Sequence, residues 1–280
     1  MRKPLAVGKH LFEWGRRTYV VGVLNVTPDS FSDGGLYQSV DQALFRVEEM
    51  IRAGADIIDV GGESTRPFAT PLSVEEELKR VVPVVEAIRR RFDIPLSIDT
   101  YKAPVAREAL QAGADMINDI SALRFDPEMI KVVVETGAPV ILMHMKGTPQ
   151  TMQLDPRYDD VIAEIKRFLR ERIDFALSQG VAREKIIIDP GIGFGKRFED
   201  NLTIIKHVDD FFSLDAPVLL GPSRKAFLGQ ILEKEARERD AGTMAVVAYA
   251  ALKGVDLVRV HQVEMAVDTL KVIQALKEVQ

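Results

Sequence analysis

Two similar stretches, RAGADIIDVGG at 52–62 and QAGADMINDIS at 111–121, decide the fold. In each, a charged amphipathic segment ends at a glycine, and a short apolar run follows that stops at a polar residue. Glycine there is typical of a helix C-terminus, because it accepts the left-handed conformation without steric cost. The apolar run is too short for a helix and is typical of a strand buried on both faces of a parallel sheet. Each stretch therefore predicts a helix end, a turn and a parallel strand.

The same pattern recurs in looser form along the whole chain. It predicts eight strands, at 20–25, 56–60, 96–99, 115–118, 139–143, 185–189, 217–220 and 257–260. Amphipathic helices are predicted at 39–53, 73–91, 102–112, 126–136, 159–179, 199–207, 241–253 and 263–279. This alternation, at about 35 residues per unit, is typical of an α/β (β/α)8 TIM barrel. We predict one domain over 1–280, with a short N-terminal β-hairpin around Gly15, Arg16 and Arg17 closing the lower end of the barrel.

The main rival fold is a doubly wound open sheet that binds a dinucleotide. Its fingerprint places G-x-G-x-x-G directly after the first strand. Here the first strand is followed by TPDSFSDGG at 27–35, and the G-x-G-x-G at 191–195 follows the sixth strand instead. These later glycines are more simply explained by a wide loop that passes close to a ligand or to neighbouring backbone. The sequence therefore favours the barrel.

Composition excludes several classes of function. The 280 residues carry a net charge of -5, which argues against nucleic acid as a partner because a phosphate track needs a basic excess. There is no cysteine, so disulfides, zinc–thiolate sites and thiol nucleophiles are excluded, and four histidines leave little for an all-histidine metal site. No stretch reaches the ~18 apolar residues of a membrane span, and the N-terminus has no signal-peptide core. We expect a cytoplasmic protein with no membrane partner.

Polar residues end nearly every predicted strand, at the face where (β/α)8 enzymes carry their active sites. A single aspartate in such a place commonly closes a turn or caps a helix. A whole ring of polar residues converging on one face is harder to explain structurally. The set comprises Asn25, Asp59, Asp99, Asn118, Asp189, Ser223, Lys225, Arg259 and His261. By contrast, we expect His144, between two methionines, to be a packed and hydrogen-bonded side chain.

The chemistry of this ring indicates its ligand. Asp99, Asn118 and Asp189 supply buried acceptors, which fit a ring with several N–H groups such as an aminopyrimidine. Lys225, Arg259 and His261 supply positive charge or hydrogen bonds, suited to a ring carbonyl and phosphate oxygens. The amide oxygen of Asn25 suits Mg²⁺ that is held mainly by a substrate's phosphates. Two long loops, 26–38 and 61–72, are predicted to close over the site.

At these residues the chain resembles the dihydropteroate synthase family of folate biosynthesis, over essentially its whole length. The resemblance is carried by eight motifs in the family's order. They are VGVLNVTPDSFSDGG (21–35), DIIDVGGESTRP (56–67), SIDT (97–100), MINDIS (116–121), LMHMKGTPQTMQ (142–153), DPGIGFGK (189–196), GPSRKAFLG (221–229) and RVHQV (259–263). The family fold is a (β/α)8 barrel, in agreement with the strand count reached independently.

The resemblance implies a reaction and a role for each site residue. The family joins 6-hydroxymethyl-7,8-dihydropterin diphosphate to p-aminobenzoate, giving 7,8-dihydropteroate and pyrophosphate. The implied pterin diphosphate site consists of Asp59, Thr65, Asp99, Asn118, Met143, Asp189, Gly193, Phe194, Gly221, Lys225, Arg259 and His261. The implied p-aminobenzoate site, where sulfonamides compete, consists of Phe31, Thr65, Arg66, Pro67 and Ser223, and Asn25 is the implied ligand of Mg²⁺. The family is usually a homodimer.

An SN1-like mechanism follows from these roles as a hypothesis. Charge on the departing pyrophosphate is neutralised by Arg259, His261, Mg²⁺ and the first loop, so that the bond breaks early. Asp33 is the candidate that stabilises the resulting pterin cation, and the catalytic set is Asp33, Lys225, Arg259 and His261.

Three alternatives remain open at this point. A methyltetrahydrofolate-dependent methyltransferase shares the pterin pocket but has no use for a diphosphate clamp. A non-catalytic pterin-binding paralogue would keep the barrel without turnover. A sugar-phosphate aldolase or lyase would need a lysine inside a strand or a carboxylate metal site, whereas Lys225 follows its strand.

Overall fold

The computed structural model of the chain describes residues 2–26, 35–65 and 68–279, leaving aside the side chains of 35–39. The strands are β1 (Leu5–Val7), β2 (His10–Phe12), β3 (Tyr19–Asn25), β4 (Ile57–Gly61), β5 (Leu96–Asp99), β6 (Met116–Asp119), β7 (Val140–Met143), β8 (Ile186–Asp189), β9 (Leu219–Leu220) and β10 (Leu257–Val260). The α-helices are α1 (Gly35–Arg52), α2 (Val74–Arg91), α3 (Ala103–Gln111), α4 (Met129–Thr136), α5 (Val161–Ser178), α6 (Phe198–Lys206), α7 (Ala226–Leu232), α8 (Asp240–Lys253) and α9 (Val263–Glu278).

Eight of these strands form one parallel sheet, in the order β8-β7-β6-β5-β4-β3-β10-β9. A further parallel bridge between Ile188 and Val218 brings the two ends of the sheet together. Helices lie between successive strands, so the architecture is the predicted (β/α)8 barrel. All eight predicted strands are confirmed to within two residues, and β5 and β10 have the predicted bounds.

The strands and helices form as the sequence patterns require. The residues of β4, β7 and β8 are buried throughout, because each strand has helices on one side and the barrel interior on the other. Helix α2 begins with the predicted capping box, in which the Ser73 hydroxyl accepts from the Glu76 amide and the Glu76 carboxylate accepts from the Ser73 amide. Helices α4 and α8 end at Gly137 and Gly254 in the left-handed conformation.

No helix in the described part of the chain is long and apolar enough to span a membrane.

The N-terminal hairpin closes one end of the barrel. Strands β1 and β2 pair antiparallel, and their inward side chains, with Trp14, form an apolar cluster with the first residues of the barrel strands. Phe12, Trp14 and Tyr19 pack as aromatic pairs with centroids 5.0–6.0 Å apart. Because this plug covers the N-terminal ends of the strands, only their C-terminal ends are open to form a site.

One sequence-based expectation about local structure is wrong, and one helix was not predicted. The hairpin turn lies at Gly8 and Lys9, between Val7 and its partner His10, whereas the turn around Gly15 links the hairpin to β3. Both glycines take positive φ, so the glycine signal alone did not distinguish the hairpin turn from the connecting turn. Helix α7 was missed because it has only seven residues, contains Gly229 and has no side-chain cap.

Candidate active site

Strand pairing brings the predicted polar residues to one level of the barrel. Asp99 is the register partner of Asn118, and Met143 is the register partner of Asp189. Gly61 pairs with both Asn25 and Asp99 on its two sides. Since these residues are the last or, for Asn118, the second-last of their strands, they lie at the C-terminal face of the barrel.

Arg259 connects two of the carboxylates. Its Nε donates to Asp59 Oδ2 at 2.6 Å, and its terminal nitrogen donates to Asp99 Oδ2 at 2.7 Å. Burial works against the charge, but the two carboxylates overcome it and raise the pKa of Arg259 above its ordinary value. Burial also raises the pKa of Asp99, helped by the Asp59 carboxylate and opposed by Arg259. The guanidinium is therefore a fixed positive charge whose planar face is set by strands β4, β5 and β10.

Asn118 has a defined orientation. Its amide nitrogen donates to Asp59 Oδ2 at 3.0 Å, so its carbonyl oxygen is the atom left to accept from a ligand. The second oxygens of Asp59 and Asp99 are buried and have no hydrogen-bond partner within the protein. Buried acceptors of this kind are costly unless a ligand pairs with them. The site thus presents several acceptors that require N–H donors.

Asp189 lies on the opposite side of the pocket, held by the loop that follows β8. Its Oδ1 accepts from the Gly191 amide at 2.7 Å, and burial raises its pKa to about 6. The Lys225 ammonium lies 4.1 Å from the centroid of the Phe194 ring, and its stem runs beside Gly193, where a Cβ would stand 3.0 Å from Lys225 Cδ. A side chain at residue 193 would therefore be tightly packed against Lys225, and it would also be strained because Gly193 takes a φ of 81°.

Apolar side chains form the remaining wall. Met143 packs in a buried cluster with Ile120, Met145 and Met152, and Phe194 covers it. At Gly221, an added Cβ would be 4.0 Å from both Asp189 Oδ2 and Arg259 Cβ, which is ordinary van der Waals distance. The glycine is therefore not needed to avoid a clash within the protein, and its missing side chain leaves room for a flat ligand between Asp189 and Arg259.

His261 and Ser223 form a pair at the edge of this pocket. The His261 Nδ1 and the Ser223 hydroxyl are 2.8 Å apart, and the hydroxyl also accepts from the His261 amide at 3.2 Å. Burial and the neighbouring cations, Arg259 first among them, lower the pKa of His261 to about 3. The imidazole is therefore neutral near pH 7 and offers hydrogen bonds rather than charge. Ser223, which the resemblance places beside p-aminobenzoate, is directly joined to a residue of the implied diphosphate end.

Asn25 is partly exposed at the end of β3. Across residues 2–26, 35–65 and 68–279, no three acidic or histidine side chains cluster closely enough to hold a metal ion. One amide oxygen fits Mg²⁺ only when most of its ligands are water and substrate phosphates, which is the usual coordination of this ion.

The second loop reaches across to the loop after β7. The Phe68 amide donates to the Pro149 carbonyl at 3.0 Å, and the Gln150 side chain donates to the Ala69 carbonyl at 3.1 Å. Thr65 is partly buried at the start of this loop. Four predicted site residues, Phe31, Asp33, Arg66 and Pro67, lie outside the described residues.

Sequence reasoning overlooked a buried lysine next to the site. Lys196 Nζ lies 2.8 Å from His144 Nδ1 and donates to the Phe194 carbonyl at 3.0 Å. Burial lowers the pKa of both Lys196 and His144. The expectation that His144 is packed and hydrogen-bonded is confirmed. Lys196 was not recognised because a lysine after three loop glycines is typical of an exposed loop. It was also not foreseen that Glu63 and Lys102 would pair beneath the second loop.

Comparisons with known proteins agree with this geometry. Residues 21–261 match the family model described as pterin binding enzyme. A dihydropteroate synthase of Synechocystis is 50% identical over 98% of this chain and 95% of its own length. The Yersinia pestis dihydropteroate synthase, in a sulfonamide drug complex, superimposes with a TM-score of 0.93 at 42% identity, covering 99% of this chain and 100% of its own. The Xanthomonas albilineans enzyme, solved with 4-aminobenzoic acid, gives 0.93 at 44% identity, covering 100% of both chains. The chain belongs to the pterin-binding enzymes, and within them to the dihydropteroate synthase family.

Proposed function

We propose that the chain condenses 6-hydroxymethyl-7,8-dihydropterin diphosphate with p-aminobenzoate, releasing pyrophosphate and giving 7,8-dihydropteroate. The observation that carries this proposal is the group of buried polar side chains at the C-terminal face of the barrel. There Asp99, Asn118 and Asp189 present acceptors from three strands, and the Arg259 guanidinium lies beside them. A flat ring with several N–H groups and an anionic substituent satisfies both features.

Recognition of the pterin follows from the acceptors. The Asn118 carbonyl and the Asp189 carboxylate accept N–H groups of the ring, and Lys225 donates to its carbonyl oxygen. Met143, Phe194, Gly193 and Gly221 border the ring faces. Arg259 stacks its planar face on the ring while its charge is directed towards the diphosphate.

The diphosphate lies at the edge of the pocket, near His261 and Asn25. A neutral His261 donates one hydrogen bond, and the Arg259 charge stabilises the negative charge that develops on the departing pyrophosphate. We propose that Asn25 contributes one ligand to Mg²⁺, whose bound charge would further neutralise the phosphate oxygens. Asp59, which is buried below, keeps Arg259 and Asn118 in place.

The reaction needs little acid–base help from the protein. The methylene carbon carries a good leaving group and is attached to an electron-rich ring, so the bond to oxygen breaks first and the charge spreads into the pterin. The amino group of p-aminobenzoate then attacks and loses a proton. We propose that Asp33 stabilises the cation, and that Phe31, Thr65, Arg66, Pro67 and Ser223 surround p-aminobenzoate, where a sulfonamide would compete. Closure of both loops excludes water, which would otherwise capture the cation.

A coupled pyrophosphate-release assay tests this function. With both substrates and Mg²⁺, we expect pyrophosphate and dihydropteroate in equal amounts, and a large loss of rate when Mg²⁺ is removed with a chelator. Methyl transfer from methyltetrahydrofolate to a corrinoid would instead support the methyltransferase alternative. Binding of a pterin without turnover would support the non-catalytic one. A carbon isotope effect at the methylene that indicates a tight, associative transition state would contradict the SN1-like mechanism.

We also propose that the protein forms a homodimer through its C-terminal helices. Helix α8 exposes Tyr249 and Leu252, and α9 exposes Val272 and Leu276, so neighbouring helices share an apolar outer surface. Sedimentation equilibrium should give twice the chain mass of 31.2 kDa. A monomer at micromolar concentration would contradict this part of the proposal.

A further inference from the structure

A buried group of charges lies beneath the second loop, outside the substrate pocket. The Lys102 ammonium donates to Glu63 Oε2 and to Glu77 Oε2, each at 2.6 Å. The side chains of Glu63, Glu77 and Lys102 are 5%, 1% and 12% exposed, so two carboxylates share one cation almost entirely out of water. The Tyr101 hydroxyl adds a hydrogen bond of 2.8 Å to Glu63 Oε1.

These side chains bind both ends of the loop at once. Glu63 is at the start of the loop and accepts from the Leu72 amide at its end, at 2.8 Å. Lys102 donates to the Leu72 carbonyl at 2.9 Å. Glu63 and Leu72 are therefore held at one fixed point at the base of the loop. That point is anchored to α2 through Glu77 and to the segment after β5 through Lys102.

A second set of contacts fixes the orientation of the loop base. Arg80 on α2 donates to the Gly62 carbonyl at 3.0 Å. Gly62 itself packs so closely on α2 that a Cβ there would lie 2.7 Å from Val81 Cγ1. The start of the loop is thus held by α2 on one side, while Tyr101 and Lys102 hold it on the side that faces Asp99.

Stability alone does not explain such an arrangement. Removing two carboxylates and an ammonium from water is expensive, and apolar residues of similar volume commonly stabilise a fold as well or better. A cluster of ion pairs fixes the relative positions of its groups more precisely than an apolar contact does, because each hydrogen bond has a set direction and length. A loop whose residues contact a small aromatic substrate benefits from that definition, since misplacement by about 1 Å can cost ~10²-fold in rate.

We infer that Glu63, Lys102 and Glu77, assisted by Tyr101, are positioning residues that hold the second loop in register for the acceptor substrate. The inference rests on the proposed function, in which Thr65, Arg66 and Pro67 surround p-aminobenzoate. None of these four residues belongs to the proposed pterin site. Loss of the cluster should therefore weaken capture of the acceptor and leave pterin binding unchanged.

The test is the Glu63→Gln variant, which keeps the volume but removes the negative charge that pairs with Lys102 and replaces one of the two acceptor oxygens, those facing Lys102 and Tyr101, with an amide donor. We expect the KM for p-aminobenzoate to rise at least tenfold, while the KM for the pterin diphosphate and the affinity for 6-hydroxymethylpterin stay within twofold. Tyr101→Phe removes a single hydrogen bond and leaves both ion pairs. Its KM for p-aminobenzoate should rise two- to threefold, which keeps the inference testable if Glu63→Gln fails to fold.

The matched control is Arg2→Met, which breaks an ion pair with the buried Asp256 at the other end of the barrel. It should lower the melting temperature without changing either KM. If Glu63→Gln lowers the melting temperature in the same way and leaves the KM for p-aminobenzoate within twofold, the cluster is structural only and the inference is wrong.

Hydrogen exchange of the free protein separates this inference from the proposed function, because it needs no substrate. Amides of residues 64–72 should exchange faster in Glu63→Gln than in the wild type, and those of β5 should not change. Failure of the wild type to form dihydropteroate would overturn the function. Unchanged exchange in the variant would overturn the positioning role, whatever the wild type catalyses.

Discussion

The two ends of the barrel are built from the same eight strands but have opposite chemistry. At the N-terminal end, strands begin with apolar residues such as Ile57, Met116 and Leu257, which pack in one cluster with the hairpin. At the C-terminal end, four of the strands finish in Asp99, Asp119, Asp189 and Asn25. Along a strand of four or five residues, the chain changes from a packed hydrophobic core to a cluster of buried polar groups.

The difference shows how stability and function are divided along each strand. The N-terminal end gains free energy from burial of aromatic side chains. The C-terminal end loses free energy, because its carboxylates are desolvated and two of their oxygens have no partner. Substitutions at the C-terminal end should therefore lower activity, whereas substitutions at the N-terminal end should lower the free energy of unfolding.

The largest expected effect is that of Asp189→Asn. The variant keeps the shape but replaces an acceptor with an amide donor facing the N–H groups of the pterin, so kcat/KM should fall about 10³-fold, since each lost charge-assisted hydrogen bond is worth about 1.5–3 kcal/mol. Burial raises the pKa of Asp189 from 3.8 to about 6. Ionising this group in the folded protein therefore costs about 3 kcal/mol, and the variant should be more stable than the wild type by up to that amount at pH 8.

The sign of that stability change depends on pH and provides a check. Below about pH 3 the carboxyl is protonated in most folded and unfolded chains, so the variant has little advantage there. Its advantage should develop as the pH rises from about 3 to 6, where mainly the unfolded chain ionises. Urea unfolding at pH 4 and pH 8 measures this, and the advantage should be much smaller at pH 4. Asp256→Asn is the matched control, because Asp256 is also buried with a raised pKa but lies at the N-terminal end. It should leave kcat/KM within twofold, and a large loss of activity in it would contradict the division between the ends.

Next in size is a change in the hairpin, Phe12→Ala. Phe12 is 3% exposed and packs edge-on against Tyr19, so truncation leaves a cavity that should cost about 3–5 kcal/mol of unfolding free energy. Urea unfolding measures the loss, and kcat/KM below the unfolding transition should remain within twofold of the wild type. Leu11→Ala on the exposed face of the same strand serves as the control and should change stability by less than about 0.5 kcal/mol.

The same division explains what the sequence could predict. Strand β5, Leu96–Asp99, is predicted to the residue because it is a short buried apolar run, interrupted only by Ser97, that stops at the charged Asp99. The identity of the polar ring at the C-terminal face also followed, since strand ends converge in any such barrel. The pairing within the ring did not follow. Arg259 meets Asp59 and Asp99 across 200 and 160 residues of sequence, and no local pattern encodes which partner it takes.

The sequence predicts the second loop but not the contacts that hold it, for a related reason. From the sequence, Glu63 and Lys102 are ordinary charged residues of a loop and a helix start. Only the folded chain shows that they pair in a buried position between α2 and the segment after β5. Phe68 takes a positive φ of 64°, a conformation that glycine favours, although its sequence context shows no turn signal at that residue.

A smaller effect is expected from Arg259→Lys. Lysine keeps the charge but has no planar face. It also lacks the fixed arrangement of N–H groups with which the guanidinium donates to Asp59 and Asp99 together. We expect kcat/KM for the pterin diphosphate to fall about 10²-fold, or roughly 2.7 kcal/mol of transition-state stabilisation. Arg2→Lys makes the equivalent change in the bidentate pair with Asp256 at the other end. It should reduce stability slightly and leave activity unchanged, and near-normal activity of Arg259→Lys would exclude Arg259 as the diphosphate clamp.

The smallest expected effect is the pH dependence of pterin binding, and it identifies which group titrates. The buried carboxylates must be ionised to accept the ring N–H groups, and the pKa values of Asp189 and Asp99 are raised to about 6 and about 7, whereas the pKa of His261 is about 3. The affinity for 6-hydroxymethylpterin, which carries no diphosphate to titrate, should be flat above about pH 8 and fall by about tenfold per pH unit or more below about 6. Calorimetry from pH 5 to pH 8 measures this in the wild type and in His261→Gln. The profile of His261→Gln should keep the same midpoint, because His261 is already neutral across that range. If the midpoint disappears in His261→Gln, the imidazole of the wild type must titrate in this pH range. The pH response of the C-terminal end would then come from a cation. It would not come from the buried carboxylates that distinguish this end from the hairpin end.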